Sequence, residues 1–233
     1  MTLFNFFLII HIVCGFTAFI VAPIAMAVKK GGDAHRRWGK VFFWAMCGVS
    51  FAALIMAPMH NNLFLTLVAV FSFYLAFSGY RALYRKNLKS WREVKFIDWF
   101  VVCLNGVFCL VLIIIGIQKL PDAFGTISIV FGSIGLINSS RDLVSFIRPR
   151  NVKGKWFFSH IGGMIGAYIA AVSAFSAVNL NFEWLPVSIQ WLWPTLIGVP
   201  AMLFWMRSYR AKFSKGKSIR EMAVVKIGPQ EEL

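Results

Sequence analysis

The sequence predicts an all-α integral membrane bundle of seven transmembrane helices. Of the 233 residues, 59% are hydrophobic and only 14% are charged, and the mean hydropathy is +0.71. Average globular chains carry about 25% charged residues. Apolar runs close to the length that crosses a bilayer recur along the chain, and the basic residues collect between alternate runs. These three observations exclude an ordinary soluble domain.

The apolar runs define seven predicted spans in order. Their approximate bounds are 3–28, 41–59, 63–83, 96–117, 123–143, 156–180 and 189–206. Short polar turns separate the second span from the third, at His60-Asn61-Asn62, and the fourth from the fifth, at Pro121-Asp122. The chain therefore divides into a seven-helix transmembrane domain, residues 1–207, and a basic cytoplasmic tail, residues 208–233.

The distribution of positive charge predicts which side each end occupies. All of the 24 Lys and Arg residues except Lys119 fall in or beside alternate connections and the tail. Cytoplasmic loops carry an excess of Lys and Arg, so we expect the N-terminus outside and the C-terminus in the cytoplasm. The same clustering explains the net charge of +15 without a nucleic-acid partner. The expected partner of the basic face is anionic lipid.

Polar side chains inside a bilayer are costly and are functional candidates for that reason. His11 lies in the first span and His160 in the sixth. Tyr168 follows His160 by eight residues and shares its helical face. We predict that these residues bind a ligand or relay protons. The alternative for each histidine is a hydrogen bond between helices.

A second set of candidates lies at the depth of the basic loops. His35 is placed in the first basic loop, Asp98 begins the fourth span, and Arg141 and Asp142 end the fifth. We predict that His160 faces the bundle interior and that at least one of these four residues approaches it, because interiors supply polar partners. The alternative is that they are interfacial charges paired with loop cations.

Small residues give the sixth span an unusually smooth surface. Gly163, Ala167 and Ala170 fall on or beside the face of His160. Small residues let transmembrane helices approach closely. We therefore expect this face to pack against another helix.

Several segments together resemble a known family. They are His11-x3-Gly15-x2-Ala18, Lys30-Gly31-Gly32 with His35-Arg36, and His160-x3-Met164-x3-Tyr168. This signature is similar to that of a family of predicted bacterial polytopic membrane proteins described only as a domain of unknown function. The resemblance implies a bacterial inner-membrane protein and carries no activity. His11, His35 and His160 match the signature, and His60 does not.

The first functional hypothesis is a transporter or sensor that handles a small solute or protons. Histidine changes its charge near neutral pH, which suits an intramembrane relay. His11, His160 and His35, with Arg141, Asp142, Asp98 and Tyr168, are the candidate residues for a ligand site or relay.

Two further hypotheses bring a cofactor. Haem b is one, because histidine can hold haem iron and His11 and His60 lie towards one side while His35 and His160 lie towards the other. Zinc is the other, in a membrane hydrolase, with His35 and His160 joined by Asp98 or Asp142. The histidines are thus the candidate metal ligands, with His11 too distant for the zinc site. The sequence also leaves open a homo-oligomer or a role inside a larger membrane complex.

Overall fold

The computed structural model describes residues 2–149, 154–180 and 183–214. In that part of the chain, seven helices follow one another: α1 (Leu3–Ala27), α2 (Asp33–Met59), α3 (Leu63–Arg81), α4 (Phe96–Gln118), α5 (Ala123–Ile147), α6 (Lys155–Asn179) and α7 (Val187–Ser214). Two short 3-10 turns lie between α3 and α4, at Ala82–Tyr84 and Trp91–Glu93. All seven helices are long and apolar enough to cross a membrane. The predicted fold class is therefore confirmed.

The third helix is the centre of the bundle. It packs against α2, α4, α5 and α6, while α1 packs mainly on α2 and α7 mainly on α6. The most apolar stretch of α3 is 56% buried inside the protein, compared with 17% for that of α1. Side chains of α3 therefore contact protein, whereas those of α1 largely contact lipid.

Glycines allow α3 and α6 to approach closely. A Cβ atom added at Gly163 would lie 2.5 Å from the Gly79 Cα, and one added at Gly79 would lie 2.7 Å from the Met164 nitrogen. No larger side chain fits between backbones at that distance. The expected packing of the smooth face of α6 is thus present, and its partner is α3.

Several helices extend beyond the predicted spans. The second helix begins at Asp33 rather than near residue 41, so His35 lies in its first turn and not in a loop. Asp33 there complements the positive end of the helix dipole. The seventh helix continues to Ser214, which places residues 208–214 of the predicted tail in a helix. The rest of the tail lies outside the described residues, and so do Arg150 and Lys153, which belong to the basic connection between the fifth and sixth predicted spans.

The two ends of the bundle differ in charge. We call the end that carries the connections at 28–32 and 85–95 the basic end, and the end that carries those at 60–62 and 119–122 the opposite end. Residues near the start of α2, α4 and α6 and near the end of α1, α3 and α5 therefore meet at the basic end. His35, His160, Asp98 and Asp142 all lie there.

Candidate functional site

The structure brings His35 and His160 together at the basic end. Their ring centres are 6.2 Å apart, and the ring planes cross at 80°. His35 Nδ1 lies 2.8 Å from the Ala25 carbonyl oxygen, and His160 Nδ1 lies 2.9 Å from that of Gly79. Because a carbonyl can only accept, each Nδ1 donates its proton and each Nε2 keeps a free lone pair. The prediction that His160 would meet one of the four candidates is confirmed by His35.

The other two histidines do not form a second pair. His11 lies in α1, and its Nδ1 donates to the Val49 carbonyl of α2 at 3.0 Å. His60 is exposed at the end of α2, where its ring meets that of Phe4 edge-on. The two histidines placed towards one side, His11 and His60, thus contact different partners, whereas His35 and His160 on the other side meet.

Two lysines lie beside the histidine pair. Lys30 is close to His35, and its ammonium nitrogen lies 5.6 Å from the centre of the Trp205 ring. Partial burial lowers the pKa of Lys30 from its ordinary value. Lys86 is close to His160, and its nitrogen lies 4.5 Å from the centre of the Trp156 ring. The surroundings of the pair are therefore positively charged.

The carboxylates form a separate region. Asp98 is 2% exposed and accepts two hydrogen bonds from the Arg81 guanidinium, from Nε at 2.8 Å and from Nη2 at 2.6 Å. Arg85 adds a longer contact to Asp98 at 3.5 Å. A buried carboxylate persists only when its charge is compensated. Asp98 is thus paired with arginine and is not drawn towards the histidines.

Asp142 continues this region into the bundle. It accepts a hydrogen bond from the Tyr74 hydroxyl at 3.0 Å and another from the Ser78 hydroxyl. The Arg85 guanidinium lies 3.9 Å from the same carboxylate. One oxygen of Asp142 therefore joins two hydroxyl groups of α3 to a cation.

Polar contacts continue from Asp142 towards the middle of the bundle. Ser139 of α5 lies near the Tyr74 hydroxyl, without a hydrogen bond between the two groups among those of the described residues. Ser139 accepts a hydrogen bond from the Asn105 amide of α4 at 2.8 Å. Asn105 is fully buried, and among the described residues its side-chain oxygen has no hydrogen-bond partner, although the Cys109 thiol lies near the same amide. We name the residues Asp142, Tyr74, Ser78, Ser139 and Asn105 the polar file.

The polar file ends at an aromatic layer. Beyond it, the rings of Phe71 and Phe131 stack with centres 5.8 Å apart and planes 17° from parallel. Gly135 lies between them and the file, where an added Cβ would lie 2.3 Å from the Cys109 sulfur and 2.9 Å from the Phe71 ring. The layer is therefore tightly packed and closes the file on that side.

An open cavity lies on the other side of the aromatic layer. Its volume is about 480 Å³, and it is lined by polar residues of the opposite end and by apolar residues that reach inward: His60, Asn61, Asn62, Leu63, Phe64, Leu67, Leu112, Ile115 and Lys119. Leu112 follows Asn105 by seven residues, about 10 Å along α4. The cavity and the polar file thus approach each other from the two ends.

The remaining candidates lie apart from both regions. Arg141 is exposed and forms no ion pair with the described carboxylates. Tyr168 packs its ring 6.1 Å from that of Phe19 in α1. Of the four residues of which at least one was expected near His160, the structure brings His35 to it. The carboxylates form a separate region because Arg81 and Arg85 engage them, as the alternative of paired interfacial charges predicted.

Four residues of the polar file were missed from the sequence. Tyr74, Ser78, Ser139 and Asn105 are hydroxyl and amide residues that apolar spans often contain. A signal was present, because Tyr74, Ser78 and Arg81 fall at steps of four and three and share one face of α3, and Arg85 follows four residues later, just beyond the helix. That stripe indicates a polar face directed into the bundle.

The donors that a zinc-dependent hydrolase requires are not assembled. Among the residues that the structure describes, no group of three or more His, Cys, Asp or Glu side chains is placed to hold a metal ion. Asp98 and Asp142, the predicted carboxylate ligands, are engaged by arginine and hydroxyl groups. The zinc hypothesis is therefore not carried further.

The fold and the two polar regions define the chain as a polytopic membrane protein. No family model, curated protein or solved structure matches it. Its function is accordingly argued from its own residues.

Proposed function

We propose that the protein conducts protons across the membrane through the interface of α3, α4 and α5. The observation that carries this proposal is the polar file, whose side chains follow one another from Asp142 at the basic end to Asn105 in the middle of the bundle, with hydrogen bonds at both ends and Ser139 near Tyr74 between them. Polar groups inside a membrane bundle are costly and mark ion and proton pathways. We therefore assign to the polar file the proton relay that the sequence predicted for the intramembrane histidines.

Protons fit the file better than a solute does. A carboxylate and hydroxyl groups that lie side by side pass a proton from one to the next, directly or through a water molecule, whereas a solute needs a cavity of its own size. A cleft of about 40 Å³ touches Asp142 at the basic end, which is space for a few water molecules. Water there connects the file to the solution.

The unpaired oxygen of Asn105 favours conduction over a purely structural role. Asn105 and Ser139 alone are an ordinary polar contact between helices. A buried acceptor without a partner costs about 1–3 kcal/mol, and such groups call for a specific explanation such as an unseen water. A water molecule at this oxygen extends the file towards the aromatic layer.

The aromatic layer is the gate of this proposed pathway. Phe71 and Phe131 separate the file from the cavity at the opposite end. A dry apolar layer blocks protons, and pores are known that open by wetting such a constriction. The described conformation is therefore the closed one.

The test is proton uptake by vesicles that contain the purified protein and a trapped pH-sensitive dye, driven by a potassium diffusion potential. We expect uptake faster than in protein-free vesicles, and loss of the excess in Asn105→Leu and Ser139→Ala. The matched controls are Asn138→Leu, whose amide bonds within its own helix to Ile134, and Ser140→Ala, whose residue is exposed. Wild-type uptake no faster than in protein-free vesicles contradicts the proposal.

We also infer a location in the bacterial inner membrane, with the basic end in the cytoplasm and the N-terminus outside. The support is the positive-inside distribution of Lys and Arg and the resemblance to a bacterial family. Anionic lipid against the basic end belongs to the same inference. A reporter fused after Leu233 that is active only in the cytoplasm is expected to be active, and an inactive reporter in a correctly inserted protein contradicts it.

A further inference from the structure

The histidine pair takes no part in the proposed proton pathway. His160 contacts α3 through the Gly79 carbonyl, whereas the polar file uses the side chains of Tyr74 and Ser78. His35 contacts only α1 by hydrogen bond, through Ala25. A pair of oriented imidazoles at one depth on two helices therefore needs an explanation of its own.

We propose that His35 and His160 are the two axial ligands of one b-type haem. Both rings are oriented as metal-binding histidines are, with the proton of Nδ1 given to a main-chain carbonyl and Nε2 left as the ligand nitrogen. Haem iron is held by such side chains. The porphyrin supplies the remaining ligands, so that two histidines suffice where zinc would need at least three protein ligands.

The separation of the rings fits ligands on opposite sides of one metal ion. Two metal–nitrogen bonds of ~2.0 Å, with ~1.1 Å from each nitrogen to its ring centre, place opposed ring centres ~6.2 Å apart. Ligands at a tetrahedral angle would bring the centres to ~5 Å. The observed separation is 6.2 Å, which favours the opposed geometry.

The surface next to His35 leaves space for a flat ligand. Gly39 lies one turn after His35 on the same face of α2. A Cβ atom added at Gly39 would meet no atom within 4 Å. The helices that carry the pair, α2 and α6, are packed mainly on other helices rather than on each other.

The charges beside the pair suit the two carboxylates that haem carries. Lys30 lies beside His35 and Lys86 beside His160.

A hydrogen bond between helices needs only one nitrogen of each ring, so the bonds to the carbonyls account for Nδ1 and leave Nε2 unexplained. Among the described residues, neither Nε2 has a hydrogen-bond partner, which an iron atom between them explains.

The experiment is an absorption spectrum of the full chain, purified from cells that are supplied with haem. We expect a Soret band, sharp visible bands after reduction with dithionite, and one haem per chain. His35→Asn and His160→Asn are expected to lower the haem content at least about tenfold, because the Asn amide retains the bond to the carbonyl but offers no ligand nitrogen. His11→Asn and His60→Asn are the matched controls and are expected to keep the haem.

A second variant separates ligation from a structural role. Methionine also binds haem iron and raises its potential relative to histidine. His160→Met is therefore expected to keep haem with a higher midpoint potential. Haem-free wild-type protein that also binds no added hemin overturns the proposal, and so does full haem content in His35→Asn and His160→Asn. The proton uptake test uses a different readout, so the two proposals fail independently.

Discussion

The central helix α3 contacts two polar regions that are completed in different ways. Around Asp98 and Asp142, arginine, tyrosine and serine side chains occupy the carboxylate oxygens. At His35 and His160, one nitrogen of each ring is occupied by a main-chain carbonyl, and the other has no hydrogen-bond partner in the part of the chain that the structure describes. The carboxylates of the first region are paired with side chains of the protein, and the second region leaves the two Nε2 nitrogens available to bind a ligand.

Because of this difference, substitutions in the carboxylate region should change the stability of the protein, whereas substitutions at the histidine pair should change ligand binding. Removing one partner from a closed ion-pair region exposes the remaining charges to an apolar interior, so substitutions there reduce stability. Removing a histidine whose Nε2 is unused by the protein removes little packing. Substitutions in the two regions should therefore differ in what they change, and the following predictions test that.

The largest loss of stability is expected from Asp98→Asn. The change leaves Arg81 without its carboxylate and Arg85 with only the longer contact to Asp142, and breaking a buried pair costs about 3–5 kcal/mol. Thermal unfolding in detergent, followed by tryptophan fluorescence, measures the loss. Arg141→Met is the control, because Arg141 is exposed and surface changes stay within about 0.5 kcal/mol. Equal stability of the two variants would show that the carboxylate region is not structural.

A smaller loss is expected from Gly163→Ala. The added methyl group would lie 2.5 Å from the Gly79 Cα, so α3 and α6 must separate, and overpacking costs about 1–3 kcal/mol. Gly162→Ala on the same helix is the control, since nothing lies within 4 Å of its added methyl group. The same unfolding measurement compares them. A Gly163→Ala variant as stable as Gly162→Ala would mean that the two helices do not depend on this contact.

The sequence was sufficient for the number of spans and insufficient for the neighbours of each side chain. Apolar runs of membrane length are read from hydropathy alone, and the small face of α6 indicates close packing. The start of α2 at Asp33 was missed because polar residues at a helix end lie outside the apolar run. The meeting of His35 with His160 depends on which helices are adjacent, and no local pattern encodes that.

The polar file was missed for a different reason. Asn105 and Ser139 are single polar residues in apolar helices, and alone they resemble ordinary contacts between spans. Their importance comes from continuity with Tyr74 of α3 and with Asp142, which follows Ser139 by three residues on α5. The stripe on α3 could have been predicted, whereas its continuation across α4 and α5 required the fold.

Asn105→Leu is expected to leave stability almost unchanged. The substitution removes a hydrogen bond to Ser139 worth about 1 kcal/mol, and it also removes a buried oxygen without a partner, whose cost is of similar size. A net change within about 1 kcal/mol in the unfolding measurement is the expected result. A loss as large as that of Asp98→Asn would instead place Asn105 among the structural residues.

The smallest effect concerns Lys30 and pH. Burial lowers the pKa of Lys30 below its ordinary value of 10.5, so the charged form is disfavoured in the folded protein. The penalty is fully present below the folded pKa and is relieved as pH rises through it towards the unfolded value. We expect the melting temperature of the wild-type protein to rise slightly relative to that of Lys30→Met as pH increases towards 10. A constant difference between the two proteins would contradict this.

Proton uptake by vesicles containing Asn105→Leu, compared with vesicles containing His160→Asn, decides between the polar file and the histidine pair as the proton pathway. We expect vesicles with Asn105→Leu to take up protons no faster than protein-free vesicles, because the polar file is interrupted. We expect vesicles with His160→Asn to retain wild-type uptake, because the histidine pair lies outside the pathway. Wild-type uptake by Asn105→Leu together with loss of uptake in His160→Asn would contradict the proposed pathway and assign proton conduction to the histidines.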